Sequence, residues 1–217
     1  MSKKFAVVLS GCGVYDGAEI HESVLTLLAI DKAGASYQCF APDIPQLHVV
    51  DHLSGDVVEG ESRNVLVEAA RIARGAIKPL GEYAPADFDA LVFPGGFGAA
   101  KNLCTFAVKG PDCAVDASVE AAIKATREAD KPIGALCISP ALMAKVLGAV
   151  EVTIGSDADT AGAIEAMGGK HTNTTHGEIV VDASHKLVTT PCYMLDASVS
   201  QIAAGADAVV NKLIELA

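Results

Sequence analysis

The chain has no tryptophan, and only 5% of its 217 residues are aromatic. That leaves little for base-stacking platforms or flat carbohydrate sites, which depend on exposed rings. It is also poor in basic residues, with 16 Lys and Arg against 27 Asp and Glu, a formal net charge of -11. With no Lys/Arg cluster to offset it, this charge repels phosphate backbones and anionic bilayers, so neither nucleic acid nor membrane is an expected partner. Long apolar runs are missing too. MSKKFAVVLSGCG holds one short run before Gly and Cys, neither a secretory signal nor a spanning helix, and a cytoplasmic protein is the expectation. The six cysteines (Cys12, Cys39, Cys104, Cys113, Cys137 and Cys192) form no CxxC pair and are too sparse for a disulfide scaffold. They are read as reduced thiols, mostly small core residues. No repeat, low-complexity tract or Pro/Ser linker divides the sequence, so residues 1–217 are read as a single domain.

What is present is a regular alternation. KFAVVLS (4–10), SYQCFA (36–41), the DFDALVF segment and PIGAL (132–136) read as buried strands rich in β-branched and aliphatic residues. Helices are expected over 18–33, over 64–75, over 115–129, from Pro140 onward, and over 197–216. HVVDHLSGDVVEGESR suggests a small hairpin at the sheet margin, and EIVVD with KLVTTP a second one. Strands alternating with helices of ten or more residues indicate a three-layer α/β/α sandwich around a mostly parallel sheet.

Several segments carry candidate chemistry. In SGCGVYDG, Gly11, Gly13 and Gly17 follow a strand and precede a helix, but Asp16 stands where a dinucleotide fingerprint needs its third small residue. A glycine turn with an Asp cap is the preferred reading, and no cofactor is expected. Glu19 and Glu22 lie three apart at the start of the following helix and can share one face, with His21 pointing elsewhere. Gly95 and Gly96 end a strand and would let backbone N–H groups approach a developing oxyanion. Cys137 is the best nucleophile candidate: it stands where a strand turns straight into a helix, and the helix mouth favours thiolate over thiol. Ser139 is read as a cap beside Pro140. Cys12 shares the first strand's turn and has two equal readings, an accessory thiol in the pocket of Cys137 or a buried filler residue. His171 and His176 in HTNTTH, like His48 and His52, lack HExxH or CxxC support, so no metal is expected.

Three motifs in order, VLSGCGVYDGAEIHE, LVFPGGFGAAKNL and PIGALCISPAL, make the chain resemble the enhancing-lycopene-biosynthesis/ES1 branch of the DJ-1/PfpI superfamily over essentially its whole length. The resemblance implies a flavodoxin-like fold similar to class I glutamine amidotransferase domains, and a homodimer. It also implies a glyoxalase III-like activity, converting glyoxal to glycolate without glutathione or metal. By position the elbow cysteine falls on Cys137 and the helix-one acid best on Glu22, with Glu19 competing. The glycine pair falls on Gly95 and Gly96, and the residue after the elbow is Ile138. Where histidine-using members place an imidazole, this chain has Ile138 and Gly155, which argues against a Cys–His triad. The expected function is therefore a cofactor-independent glyoxalase acting on a small aldehyde through Cys137. The alternative is a redox-responsive or regulatory protein of isoprenoid metabolism. An amidotransferase or peptidase reading requires a histidine over the thiol.

Overall fold

The computed structural model describes residues 2–217. Five short, apolar segments build the centre of the sheet: β1 (Lys4–Val8), β2 (Ser36–Ala41), β4 (Ala90–Phe93), β5 (Ile133–Leu136) and β9 (Leu187–Thr190). With β3 (Ile77–Pro79) and β8 (Val180–Asp182) at the two edges, the order is β3-β2-β1-β4-β5-β9-β8. Every pairing is parallel except β8 with β9. A second, two-stranded sheet pairs β6 (Glu151–Val152) with β7 (Lys170–His171).

The strand sequences run continuously apolar because both faces are covered. Alternate residues go to opposite sides. Phe5, Val7, Val92, Leu136 and Val188 meet α1 (Ile20–Lys32), α2 (Val65–Ile72) and α8 (Val199–Leu216). Ala6, Val8, Leu91, Phe93, Ile133 and Leu187 meet the other layer. That layer consists of α3 (Phe97–Lys101), α5 (Ala117–Glu128), α6 (Ser139–Leu147) and α7 (Ala158–Ala166), with the four-residue α4 (Phe106–Lys109) beside α3. Gly134 of β5 is required by this packing: a Cβ there would lie 2.8 Å from Leu213 and 3.0 Å from Val209 of α8.

Side-chain caps set where most of the longer helices begin. Asn64, Asp116 and Asp157 each accept from a backbone N–H of their helix's first turn, and Ser198 with Gln201 forms a full capping box on α8. Three sequence expectations are corrected here. The cap of α1 is Glu19, not Asp16, whose Oδ2 accepts from Val50 N–H at 2.8 Å and ties the first turn to the 48–57 loop. Ser139 does not cap α6; its Oγ donates to Pro94 O at 2.9 Å. The first expected hairpin is an antiparallel bridge, Val50 to Val57, lying outside the seven-stranded sheet.

β2 and β4 flank β1 on opposite sides, so the chain reverses its direction of travel across the sheet between them. In open α/β sheets that reversal opens a crevice at the carboxyl ends of the strands. The turns leaving β1, β4 and β5 all converge there. Leu91 lies at the centre of the sheet with no exposed surface. Leu91→Ala is expected to cost about 2–5 kcal/mol of unfolding free energy, read as a lower urea midpoint at unchanged slope.

Candidate active site

The turn from β5 into α6 leaves no slack, since β5 ends at Leu136 and α6 begins at Ser139. Cys137 takes a left-handed backbone, φ 61°, which a non-glycine residue adopts only under strain. The backbone at Cys137 is thus a strained strand-to-helix turn. The side chain is 7% exposed and lines a cavity of about 440 Å³. The backbone N–H groups of Gly96 and Ile138 are directed at its sulfur.

Glu22 lies under the same sulfur. It is completely buried, and its carboxyl lies close enough to the Cys137 thiol for each group to shift the other's pKa. Its Oε2 accepts from Gly95 N–H at 2.9 Å and its Oε1 from Tyr193 N–H at 3.2 Å. Burial, helped by the negative charge of Glu19, raises its pKa from 4.5 to about 7. Glu19 is placed differently: it caps α1 by accepting from Glu22 N–H at 2.6 Å, and it lines the cavity. Of the two acids, it is Glu22 that lies beside the sulfur.

The glycines are there for close approach. A Cβ on Gly95 would sit 2.3 Å from the Cys137 Cβ and 2.7 Å from Glu22 Oε2. One on Gly96, at φ 98°, would sit 2.3 Å from the Glu19 nitrogen. The expected oxyanion role of Gly95 is corrected, because its N–H is already committed to Glu22. Gly96 and Ile138 provide the donors at the sulfur.

Two further expectations change. The thiol is not acidified: burial, then the charge of Glu22, pushes its pKa well above 9, outweighing the two N–H donors and the helix mouth. Cys12 is not among the residues lining the cavity; its electrostatic neighbours are Glu68, Arg71, Asp16 and Arg63, away from Cys137. Cys192, which sequence reasoning passed over, packs in the same core cluster as Cys137 and Cys39 and is an electrostatic neighbour of Cys137. Tyr193 beside it was missed as well, although it bonds Glu22 through its N–H, lines the cavity, and meets His21 Nδ1 through its hydroxyl at 2.8 Å. The available signal was TTPCYM: a loop leaving the carboxyl end of a strand parallel to β5 must open on the same crevice.

No histidine lines this cavity among the described residues. His171 Nε2 accepts from Ile154 N–H at 3.2 Å, and His176 lines a separate polar cavity with Ser156 and Glu178. His52 is held between Val50 O and Tyr15 N–H. A Cys–His pair for peptidase or glutaminase chemistry is not assembled.

Comparison with known proteins gives the family. No protein-family model matches the chain. A human protein, glutamine amidotransferase-like class 1 domain-containing protein 3, mitochondrial, is 52% identical over 222 residues, spanning 98% of this chain and 83% of its own length. The rat ES1 protein homolog, mitochondrial, is 50% identical, spanning 98% of this chain and 84% of its own length. The chain belongs to the ES1 family. The fold is matched by a crystal structure from Ehrlichia chaffeensis. That structure, an isoprenoid biosynthesis protein with an amidotransferase-like domain, is 37% identical with a TM-score of 0.93 and covers 99% of both chains. The cytoplasmic expectation is corrected: both mammalian ES1 relatives are mitochondrial by name. That expectation rested on the lack of an apolar secretory segment, which does not bear on mitochondrial targeting.

Because Glu22 has a higher pKa folded (about 7) than its ordinary 4.5, the stability its burial contributes is complete below pH 4.5 and lost as pH rises through 7. The loss is on the order of 3 kcal/mol. Glu22→Gln should flatten this slope in denaturant titrations at pH 5 and pH 8. Gly95→Ala should abolish alkylation of Cys137 while leaving the circular dichroism of the sheet in place.

Proposed function

We propose that this ES1 protein is a redox-responsive, regulatory protein of isoprenoid metabolism whose sensing group is Cys137, with little catalytic turnover. The observation that carries this reading is the placement of Cys137, in a strained turn lining the cavity, beside a fully buried Glu22 held by the Gly95 and Tyr193 N–H groups. Hydrogen peroxide would convert the thiol to a sulfenic acid with loss of one water, and a second peroxide would convert that to a sulfinic acid with loss of another. The sulfinate is an anion with two oxygens. The two N–H groups and the protonated Glu22 carboxyl supply three donors to it. Its link to isoprenoid metabolism is supported by the description of the Ehrlichia chaffeensis structure.

A second reading is favoured by the Glu22 pKa of about 7, which suits a group that gives and takes protons near neutrality. As a glyoxalase, Glu22 would accept the thiol proton as sulfur adds to one aldehyde carbon of glyoxal, and the Gly96 and Ile138 N–H groups would hold the alkoxide. A hydride then moves to the neighbouring carbonyl carbon, giving a 2-hydroxy thioester, and water releases glycolate and the thiol. No cofactor or metal enters either scheme. The protein is proposed to work as a homodimer. Ile20, Val24 and Leu28, spaced four apart and exposed on α1, form an apolar row suited to a second copy.

Mild peroxide followed by intact-mass spectrometry and peptide mapping, beside a glyoxal-to-glycolate assay, separates the readings. The expected result is a gain of two oxygens, about 32 Da, confined to Cys137, with kcat below about 1 s⁻¹, under the usual enzyme range. Faster turnover that is lost in Cys137→Ser would establish the glyoxalase instead. Uniform oxidation of several thiols with no turnover would remove both.

A further inference from the structure

Glyoxal has four heavy atoms and hydrogen peroxide two, and neither fills a cavity of about 440 Å³. Cavities of roughly 300–1,000 Å³ are those that enclose drug-sized ligands. The wall composition indicates which kind. Val14, Phe97, Phe106, Ile138 and Met194 give it apolar sides. The charged side chains lining it are Glu19 and Asp157, both acids, and no Lys, Arg or His joins them among the described residues. Asp157 stays ionised, because the hydroxyl and N–H of Thr160 hold its carboxyl below the usual range. Lys101 is close by but engaged, with its ammonium donating to Tyr15 O at 2.9 Å and standing 5.2 Å from the centre of the Phe97 ring. An anion entering this space would give up its hydration for two carboxylates and no cation.

On the reading that Cys137 is the reactive group, we propose that the cavity selects uncharged carbonyl electrophiles bearing an apolar group of about phenyl size, and turns away anionic ones such as 2-oxo acids and phosphate esters. The covalent step is an addition. A carbon–sulfur bond forms as the carbonyl π bond breaks, and the thiol proton passes through Glu22 to the new alkoxide. No oxidant or reductant is consumed. The apolar group meets Phe106, Met194 and Ile138, where each buried methylene is worth about a fourfold gain in affinity.

The test follows Cys137 alkylation in the full chain by peptide-mapping mass spectrometry, with phenacyl bromide, iodoacetamide and iodoacetate as probes. Each rate is divided by that reagent's rate with N-acetylcysteine at the same pH. Normalised in this way, phenacyl bromide is expected to exceed iodoacetamide by at least about tenfold, and iodoacetate to fall below it by a similar factor. Asp157→Asn retains an amide oxygen that can cap α7 while removing the charge. It should raise the iodoacetate-to-iodoacetamide ratio about threefold or more. Equal normalised rates, or a ratio unmoved by Asp157→Asn, overturn the selectivity while leaving the reactive thiol standing. If no reagent modifies Cys137, the reactive-thiol reading falls. The cavity is then judged by thermal shift: acetophenone should raise the Tm and phenylglyoxylate should not, and the reverse order overturns the proposal.

Discussion

A fully buried carboxyl group without a cation partner organises this molecule. Burying an ionised carboxylate unpaired costs several kcal/mol, so a chain that does so must either protonate it or surround it with donors. Here both happen. Glu22 accepts from Gly95 N–H and Tyr193 N–H, lies beside the Cys137 thiol, and has its pKa lifted to about 7. Those three partners belong to the segments that follow β4, β9 and β5. One side chain from α1 therefore fixes three separate strand ends at a common point, and the site is held by the same contacts that satisfy the carboxyl.

That arrangement is possible only because backbone meets backbone around it. The turn after β1 and the turn after β4 touch directly: Glu19 N–H donates to Gly95 O, Phe97 N–H to Val14 O and Gly98 N–H to Gly17 O, at 2.8–2.9 Å. A Cβ on Gly17 would lie 2.3 Å from the Cys12 nitrogen, and one on Gly98 would lie 2.5 Å from Gly17. The crowding runs one way: Gly96 and Gly98 are required because the turn after β1 fills the space their side chains would need, whereas Gly17 is crowded by Cys12 and Gly11 of its own turn.

Much of this was legible in the sequence, for physical reasons that also mark where legibility ended. The buried parallel strands announce themselves as apolar runs, and the long helices by spacing and caps, so the layers and the strand-to-helix junction at Cys137 could be read in advance; the choice of Glu22 over Glu19 rested on the family resemblance. β3, β6, β7, α3 and α4 could not, since elements of two to five residues carry too few positions for a period to show. α7 was hidden by Gly162 and by a single fully buried apolar residue, Ile164. Asp16 and Ser139 were misread for another reason. Short polar side chains near a helix start usually cap it, but here tertiary partners, Val50 N–H and Pro94 O, outcompete the local ones. Tyr193 and Cys192 lie some 170 residues from Glu22 in a loop with no motif, and only the sheet order brings them in.

The thiol's ionisation is where local and global physics disagree most. A helix mouth and two N–H donors argue for a standing thiolate. Burial and a neighbouring carboxylate argue against it, and these prevail. On the proposed reading, Cys137 is a thiol that reacts by passing its proton to Glu22, and the transfer is easiest when Glu22 has lost its own proton, near or above pH 7. The donors that fail to ionise the resting thiol are not wasted. In the proposed chemistry the negative charge of the product resides on an oxygen, one bond from sulfur in a sulfinate and two in a carbonyl adduct, and the Gly96 and Ile138 N–H groups are proposed to hold it there. On that reading the site suits the charge of the product rather than that of the free thiol.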